Sequence, residues 1–196
     1  MSTDSWRNVV ISVESDSHPN IGYIDRSPCL FFDGALHSVA FTGVRKFILS
    51  FDVNDERFRE IMLPQNHLHE IFELNVNSLA VFKGSLALFV GGFDLAGYSE
   101  ICYIWVMREY GVVESWTKII VTVEFVKTFF GCNDSGELLI YTYNRDLVSY
   151  DPESLNKNNL GIQSPQWLSY TADLMENLVL LDQVKCHLNT KISLYT

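Results

Sequence analysis

Apolar and polar residues alternate along much of the chain in short runs, and turn-forming residues separate these runs. Alternation with a period of two predicts β-strands that bury one face, joined by tight turns. Three of the turns end in glycine, at Gly34, Gly84 and Gly136, and glycine supplies the positive φ that a tight hairpin needs. These glycines lie 50 and 52 residues apart, which indicates a repeated unit.

Each unit is predicted to contain two hairpins, and in the last hairpin the second strand is expected at Leu160–Ile162. The predicted hairpins span residues 28–39, 47–64, 78–89, 104–120, 129–141 and 147–162. Four strands that recur about every 50 residues are typical of a kelch-like propeller blade. Residues 5–10 and 172–181 are expected to form half-units at the two ends. The sequence therefore predicts an all-β fold, an incomplete kelch-like β-propeller of about three full four-stranded units with flanking half-units.

Composition fits one folded domain over residues 1–196, with 47% apolar and 19% charged residues. The formal net charge of −10 argues against binding to nucleic acid or to an anionic membrane, because phosphate recognition needs clustered Lys and Arg. No signal peptide or membrane span is expected from the apolar runs. The four widely spaced cysteines are expected to be reduced, buried thiols. We therefore expect a cytoplasmic or nuclear protein.

No enzymatic constellation emerges from the sequence, so we expect no catalytic, cofactor or metal site. His67 and His69 lie two positions apart and would share one face of a strand, as a pair of metal ligands can, but no third ligand is evident. Asp52 and Asp151 occupy corresponding positions of the repeat, which favours a structural role in turns over a glycosidase pair. Tryptophan residues in repeated strand positions are expected to pack between blades. A propeller enzyme remains the less favoured alternative.

Four segments give the chain a specific family resemblance. They are Lys46–Pro64, Ile104–Lys118, Gly136–Leu139 with Tyr150–Ser154, and Glu176–Leu181. In this order they resemble the F-box-associated C-terminal domain of plant F-box proteins. Their amino-acid sequences are most similar to those of the S-locus F-box proteins and their F-box brothers in rose-family plants.

The resemblance implies the substrate-recognition part of an SCF-type E3 ubiquitin ligase. Its implied target is a basic S-ribonuclease in pollen self-incompatibility. The family's F-box, which binds the Skp and cullin subunits, is expected to be missing, so the domain is read as truncated at its N-terminus. The alternative is a truncated relative that binds a partner without recruiting the ligase.

Partner binding is expected in the loops that join the second strand of a blade to the third and the fourth to the next blade, because these loops share one face of a propeller. The expected loops are residues 16–18, 65–73, 91–100 and 164–167. An acidic rim with aromatic centres would suit a basic target. The candidate protein-binding residues are His67, His69, Glu70, Glu73, Asp94, Tyr98, Glu100 and Trp167.

Overall fold

The computed structural model describes residues 21–25, 29–64, 71–97, 99–123 and 126–162, with the main chain only for 71–76. The described chain is built of β-strands and one 3-10 turn, Val113–Ser115. The strands are β1 (Tyr23–Ile24), β2 (Leu30–Phe32), β3 (Ala35–Phe41), β4 (Lys46–Asp52), β5 (Arg57–Met62), β6 (Ile71–Phe82), β7 (Ser85–Asp94), β8 (Glu100–Met107), β9 (Trp116–Val121), β10 (Val126–Cys132), β11 (Leu138–Thr142), β12 (Leu147–Tyr150) and β13 (Lys157–Asn159).

The strands form three antiparallel sheets that follow one another along the chain. The first sheet has the order β1-β3-β4-β5, and β2 pairs with another part of β3 on the same edge as β1. The second sheet is β6-β7-β8-β9 and the third is β10-β11-β12-β13. The predicted all-β architecture of repeated four-stranded units is therefore confirmed. The two predicted half-units lie outside the described residues.

The first hairpin of each sheet turns where the sequence predicts. Both residues of the Asp33-Gly34 and Lys83-Gly84 turns have positive φ, between 47° and 75°. This is the geometry of a type I′ turn, whose twist matches that of the flanking strands. Gly136 has φ 86° and closes a longer turn, in which the Asn133 side chain accepts a hydrogen bond from the Glu137 amide.

The sheets pack face to face, and β7 of the second sheet lies at the centre. Leu86, Leu88 and Val90 pack toward the first sheet, in a buried cluster with residues of β3, β4 and β5. Ala87 and Phe89 point the other way, into a cluster with β10, β11 and β12. Because neighbouring residues of a strand face opposite sides, one apolar strand fills both interfaces.

The second and third sheets also have their corresponding turns at the same end. The Lys83 ammonium pairs with Glu153 of the β12–β13 turn, and the Lys83 side chain also lies against Gly136 of the β10–β11 turn. We call this the hairpin end. The opposite end, called the loop end, carries the connections β3–β4, β7–β8 and β11–β12, at residues 42–45, 95–99 and 143–146.

Part of the predicted loop geometry is wrong in the second sheet. Residues 91–100 were expected to form a loop, but Gly91–Asp94 belongs to β7 and Glu100 begins β8, which leaves a short turn at 95–99. Likewise, residues 71–73 of the expected loop 65–73 lie in β6. The glycine pair indicates a turn locally, yet Gly91 and Gly92 pair with β6 on one side and β8 on the other. Two hydrogen-bonded neighbours hold the segment extended despite its local preference.

The last strand of the third sheet also begins earlier than predicted, at Lys157–Asn159 instead of Leu160–Ile162. The Asp151 amide donates to the Asn156 carbonyl, so the turn ends at residue 156 and pairing resumes at once. The prediction relied on apolar residues, but all three residues of this edge strand are exposed and need no apolar side chain.

The cysteine prediction holds in part for the three thiols that the structure describes. All three are free; Cys102 is buried and Cys132 is half-buried. Cys29 is exposed, contrary to expectation, and its Sγ lies 3.0 Å from the Ser38 hydroxyl. It precedes the edge strand β2 directly, where the sheet offers less cover.

Candidate functional site

Main-chain hydrogen bonds close the three turns at the loop end. In the β3–β4 turn the Thr42 amide donates to the Arg45 carbonyl at 3.1 Å. In the β7–β8 turn the Asp94 amide donates to the Ser99 carbonyl at 2.8 Å, and in the β11–β12 turn the Thr142 amide reaches the Asp146 carbonyl at 3.0 Å. The sheets thus hold these turns in fixed positions, as a recognition surface requires.

Each of the three turns presents an apolar side chain to solvent. Val44 is 93% exposed, Leu95 is 64% exposed and Tyr143 is 53% exposed. These three side chains stand at the equivalent turn of three neighbouring sheets. Exposed apolar side chains are one feature of interaction surfaces.

Asp94 and Glu100 are the candidate binding residues whose side chains are described, and both make hydrogen bonds within the chain. Asp94 Oδ1 accepts from the Ser99 amide at 3.3 Å, across its own turn. Glu100 Oε2 accepts from the Val126 amide at 3.1 Å and so ties the second sheet to the first strand of the third. Both lie at the loop end, and both stabilise the fold through these hydrogen bonds, whether or not they also bind a partner.

The other candidates are not brought together by the described part of the chain. Glu73 lies within β6, where the main chain alone is described. The remaining candidates lie outside the described residues: His67, His69, Glu70, Tyr98 and Trp167. Their assignment to the binding surface stays a prediction.

The carboxylates that could suggest a glycosidase are turn formers. Asp52 Oδ1 accepts from the amides of Asn54 and Asp55, and the amide of Asp55 is the main reason that the pKa of Asp52 is lowered. In the third sheet Asp151 accepts from the Ser154 hydroxyl and the Glu153 amide, and the Ser154 contact chiefly lowers the pKa of Asp151. The predicted structural role of these two aspartates is confirmed.

Many described acidic side chains lie in the turns of the hairpin end, opposite the loop end. They include Asp33, Asp55, Glu56, Glu109, Glu114, Asp134, Asp151 and Glu153. A field of this sign would attract a basic protein over the range of the Debye length. The sequence predicts an acidic rim at the binding loops, but the described acidic turns lie mainly at the hairpin end, opposite those loops.

A polar cluster joins the first and second sheets near the hairpin end; His37 and Ser50 are buried, and Tyr110 is 37% exposed. His37 of β3 is completely buried; its Nδ1 lies 3.2 Å from the Leu30 carbonyl, which can only accept, so Nδ1 carries the proton. Nε2 is then free to accept from the Tyr110 hydroxyl at 2.7 Å. The Ser50 hydroxyl lies 3.3 Å from both groups. Burial lowers the pKa of His37 and favours the neutral ring that this arrangement uses.

This cluster contains a serine beside a histidine, but its geometry indicates a structural link between the first and second sheets. Ser50 is 3% exposed, so a substrate has no approach to its hydroxyl. Sequence reasoning missed the cluster because Tyr110 lies 73 residues from His37. One signal was available: His37 stands where the other two units have Ala87 and Leu139, and a polar residue at an apolar repeat position demands a partner.

Tryptophan and tyrosine make further links between the sheets. The Trp116 indole donates to the Met62 carbonyl of β5 at 3.1 Å, and Trp105 packs in the same apolar cluster, as predicted for tryptophans between blades. The Tyr150 hydroxyl of the third sheet lies 2.7 Å from the Thr122 hydroxyl that follows β9. Such bonds link neighbouring sheets to one another.

The described residues contain no group of three or more His, Cys, Asp or Glu side chains that could hold a metal ion. No helix in the same part of the chain is long and apolar enough to cross a membrane.

Comparison with known proteins gives a consistent result. Residues 1–185 match the family model described as the F-box associated beta propeller domain. Two proteins of Arabidopsis thaliana named as F-box proteins are similar in sequence: one is 33% identical over 106 residues, which cover 54% of this chain and 28% of the relative, and the other is 30% identical over 159 residues, which cover 67% and 36%. The chain thus spans about a third of the length of these relatives. No solved structure matches it significantly.

Proposed function

The chain belongs to the family of F-box-associated β-propeller domains, and from that membership we propose that it is the substrate-recognition module of an SCF-type E3 ubiquitin ligase. The observation that carries the proposal is the family match over residues 1–185, together with two relatives named as F-box proteins. In this role the domain binds a target protein, and an F-box segment connects it to the Skp and cullin subunits.

The arrangement of the sheets supports a binding role. Three sheets fastened to one another hold the turns of the loop end in place, and those turns present Val44, Leu95 and Tyr143 to solvent. A rigid scaffold with exposed apolar tips needs little ordering when a partner binds, so more of the contact energy remains as affinity.

The proposal includes a non-catalytic role for the chain. In the described residues the serine–histidine pair of Ser50 and His37 is buried and committed to Tyr110. The aspartates that could form a carboxylate pair, Asp52 and Asp151, are occupied by the amides of their own turns. The chemistry of ubiquitin transfer would then belong wholly to other subunits.

A narrower version of the proposal names the target as a basic S-ribonuclease in pollen, with the protein acting in the cytoplasm or the nucleus. It is supported by the resemblance to S-locus F-box proteins and by the net charge of −10, with acidic turns concentrated at the hairpin end of the sheets. Opposite charge would accelerate association with a basic target and make the rate fall with added salt.

The test is a pull-down from style extract with two baits: this chain, and the chain fused to an authentic F-box segment. We expect both baits to capture the same target and only the fusion to bring Skp and cullin subunits. Capture of a basic ribonuclease by both baits would support the narrower version. If both baits are folded by circular dichroism and neither enriches any protein over an unrelated β-propeller, the proposed function is wrong.

A further inference from the structure

The first sheet carries a row of apolar side chains on the face that points away from the second sheet. The strand register pairs Phe31 of β2 with Leu36 of β3, Leu36 with Phe51 of β4, and Phe51 with Phe58 of β5. Because directly paired residues point to the same face of a sheet, these four side chains stand side by side across four strands. The Phe51 and Phe58 rings lie 4.7 Å apart between their centroids. We call this set the apolar row.

The apolar row is open to solvent near the hairpin end of this face. Phe31 is 63% exposed and Leu36 is 36% exposed, and the two paired rings are half-buried. Phe58 packs against Phe47 and Leu49, in a cluster that contains, among the described residues, none from the second sheet. The row therefore borders a firm apolar layer and is itself accessible to a partner.

The repeat of the chain shows what this face suits. Leu36 stands two residues after the turn glycine Gly34, as Leu86 stands two residues after Gly84. Leu86 is 1% exposed, because it packs in the cluster between the second sheet and the first. The corresponding face of the first sheet is thus suited to apolar packing, and at Leu36 it remains exposed.

Carboxylates border the open side of the apolar row. Asp33 lies in the β2–β3 turn, and Asp55 and Glu56 lie in the β4–β5 turn, so both turns join strands that carry the row. All three residues are exposed. The two turns are adjacent, since the Val53 amide donates to the Gly34 carbonyl at 3.1 Å.

The cations of the same strands do not neutralise this border. Arg57 and Arg59 alternate with the phenylalanine of β5 and so point to the opposite face of the sheet. Arg59 reaches Asp55 at 3.6 Å, but both side chains are about 60% exposed and such a pair is weak. On the face of the row, Arg45 and Glu60 form an ion pair at 2.6 Å that carries no net charge. Negative charge beside the row favours a basic occupant.

We propose that the apolar row and the carboxylates beside it form a docking surface for a basic segment of the target protein, in which Lys or Arg lies close to an aliphatic or aromatic side chain. The apolar side chain packs on Phe31 and Leu36, and the cation pairs with Asp33 and lies over a phenylalanine ring. The inference rests on the proposed role in target recognition and deepens it, since it names the surface and the chemistry that this surface selects.

The probe is a phage library of random dodecapeptides selected on the immobilised full chain. We expect the enriched peptides to combine Lys or Arg with Phe, Tyr, Trp or Leu. In fluorescence polarisation Phe31→Ser should bind a wild-type-selected peptide at least about tenfold more weakly, because it removes the most exposed ring of the row. The matched control is Ile120→Ser, which removes an apolar side chain of 64% exposure from the edge strand β9 of the second sheet.

A second variant tests the charge without disturbing the fold. Asp33→Asn removes one carboxylate and keeps a residue type that favours the positive φ of this turn, so its urea midpoint should match that of the wild type. Peptide binding should weaken about two- to fivefold at low salt, and the difference should shrink as salt is added. The matched control is Asp134→Asn, at an exposed position in the β10–β11 turn of the third sheet.

The docking surface is refuted if no peptide motif is enriched, if acidic peptides are enriched instead, or if either variant weakens binding no more than its control. Sedimentation velocity tests the other occupant of the face: a wild-type dimer that Phe31→Ser dissociates would make the row a contact between two copies and overturn the inference. A pull-down target that binds Phe31→Ser as well as the wild type would overturn this inference and leave the proposed function standing.

Discussion

The buried His37 makes the stability of the domain depend on pH in a defined direction. In the folded state burial lowers the pKa of the ring and the Tyr110 hydroxyl donates to Nε2, so the neutral form is favoured. The main-chain groups of Leu30 and Ala35 and, more weakly, the Asp33 carboxylate oppose this effect without reversing it. In the unfolded chain the pKa returns to about 6.5. Below that pH the unfolded state binds a proton that the folded state resists, so stability is complete above about pH 6.5 and falls as the pH is lowered toward the folded pKa.

The size of this change in stability is limited because only one proton is bound on unfolding. The free energy of unfolding can fall by at most about 1.4 kcal/mol per pH unit in this window. The variant His37→Gln keeps one donor and one acceptor but does not titrate. On going from pH 7.5 to 5.5 the wild type should therefore lose a few tenths to about 1.4 kcal/mol relative to the variant.

Urea unfolding followed by circular dichroism at several pH values measures this difference. Asp52 and Asp151 have lowered pKa values and stay ionised over the whole window, so they do not contribute to the slope. Tyr110→Phe is an intermediate case, since losing the hydroxyl removes a bond that favours the neutral ring and should raise the pKa of His37. Parallel pH profiles for the wild type and His37→Gln would refute the assigned protonation state.

Three other substitutions or labels test the packing. Trp116→Phe should lower the free energy of unfolding by about 1.5 kcal/mol, because it leaves a carbonyl of the first sheet without its indole donor. Gly136→Ala should destabilise more than Gly84→Ala: both have positive φ, but a Cβ at position 136 would lie 2.5 Å from a lysine side chain, and equal losses in urea would contradict this contact. At pH 8 iodoacetamide should alkylate Cys29 in the folded protein and spare Cys102, whose pKa burial raises to about 12; peptide mass mapping that finds both labelled would disprove the burial.

Local sequence signals were sufficient for the repeat but not for every strand. The turn glycines, such as Gly34 and Gly84, and the turn aspartates, Asp52 and Asp151, act through neighbours a few residues away, so their roles are readable without the fold. The Gly91-Gly92 pair looks like a turn because its preference is local, whereas its extended conformation comes from strands on both sides. An edge strand as exposed as β13 has no apolar pattern to detect.

The candidate site was harder to predict than the fold. Topology indicated which end of the sheets would carry rigid loops, and Asp94 lies there. The sequence could not show that its carboxylate is turned to its own backbone, because that depends on the exact length of the turn.

The most direct test of the central claim is reconstituted ubiquitination of a protein that the chain captures. The chain fused to an F-box segment should, with Skp, cullin and E2 components, transfer ubiquitin to that protein, and the chain without the F-box segment should inhibit the transfer as its concentration rises, because the two compete for one target. If the fusion assembles with the ligase and binds the captured protein, yet ubiquitin is not transferred above the level of an unrelated propeller fusion, the domain is not a substrate-recognition module.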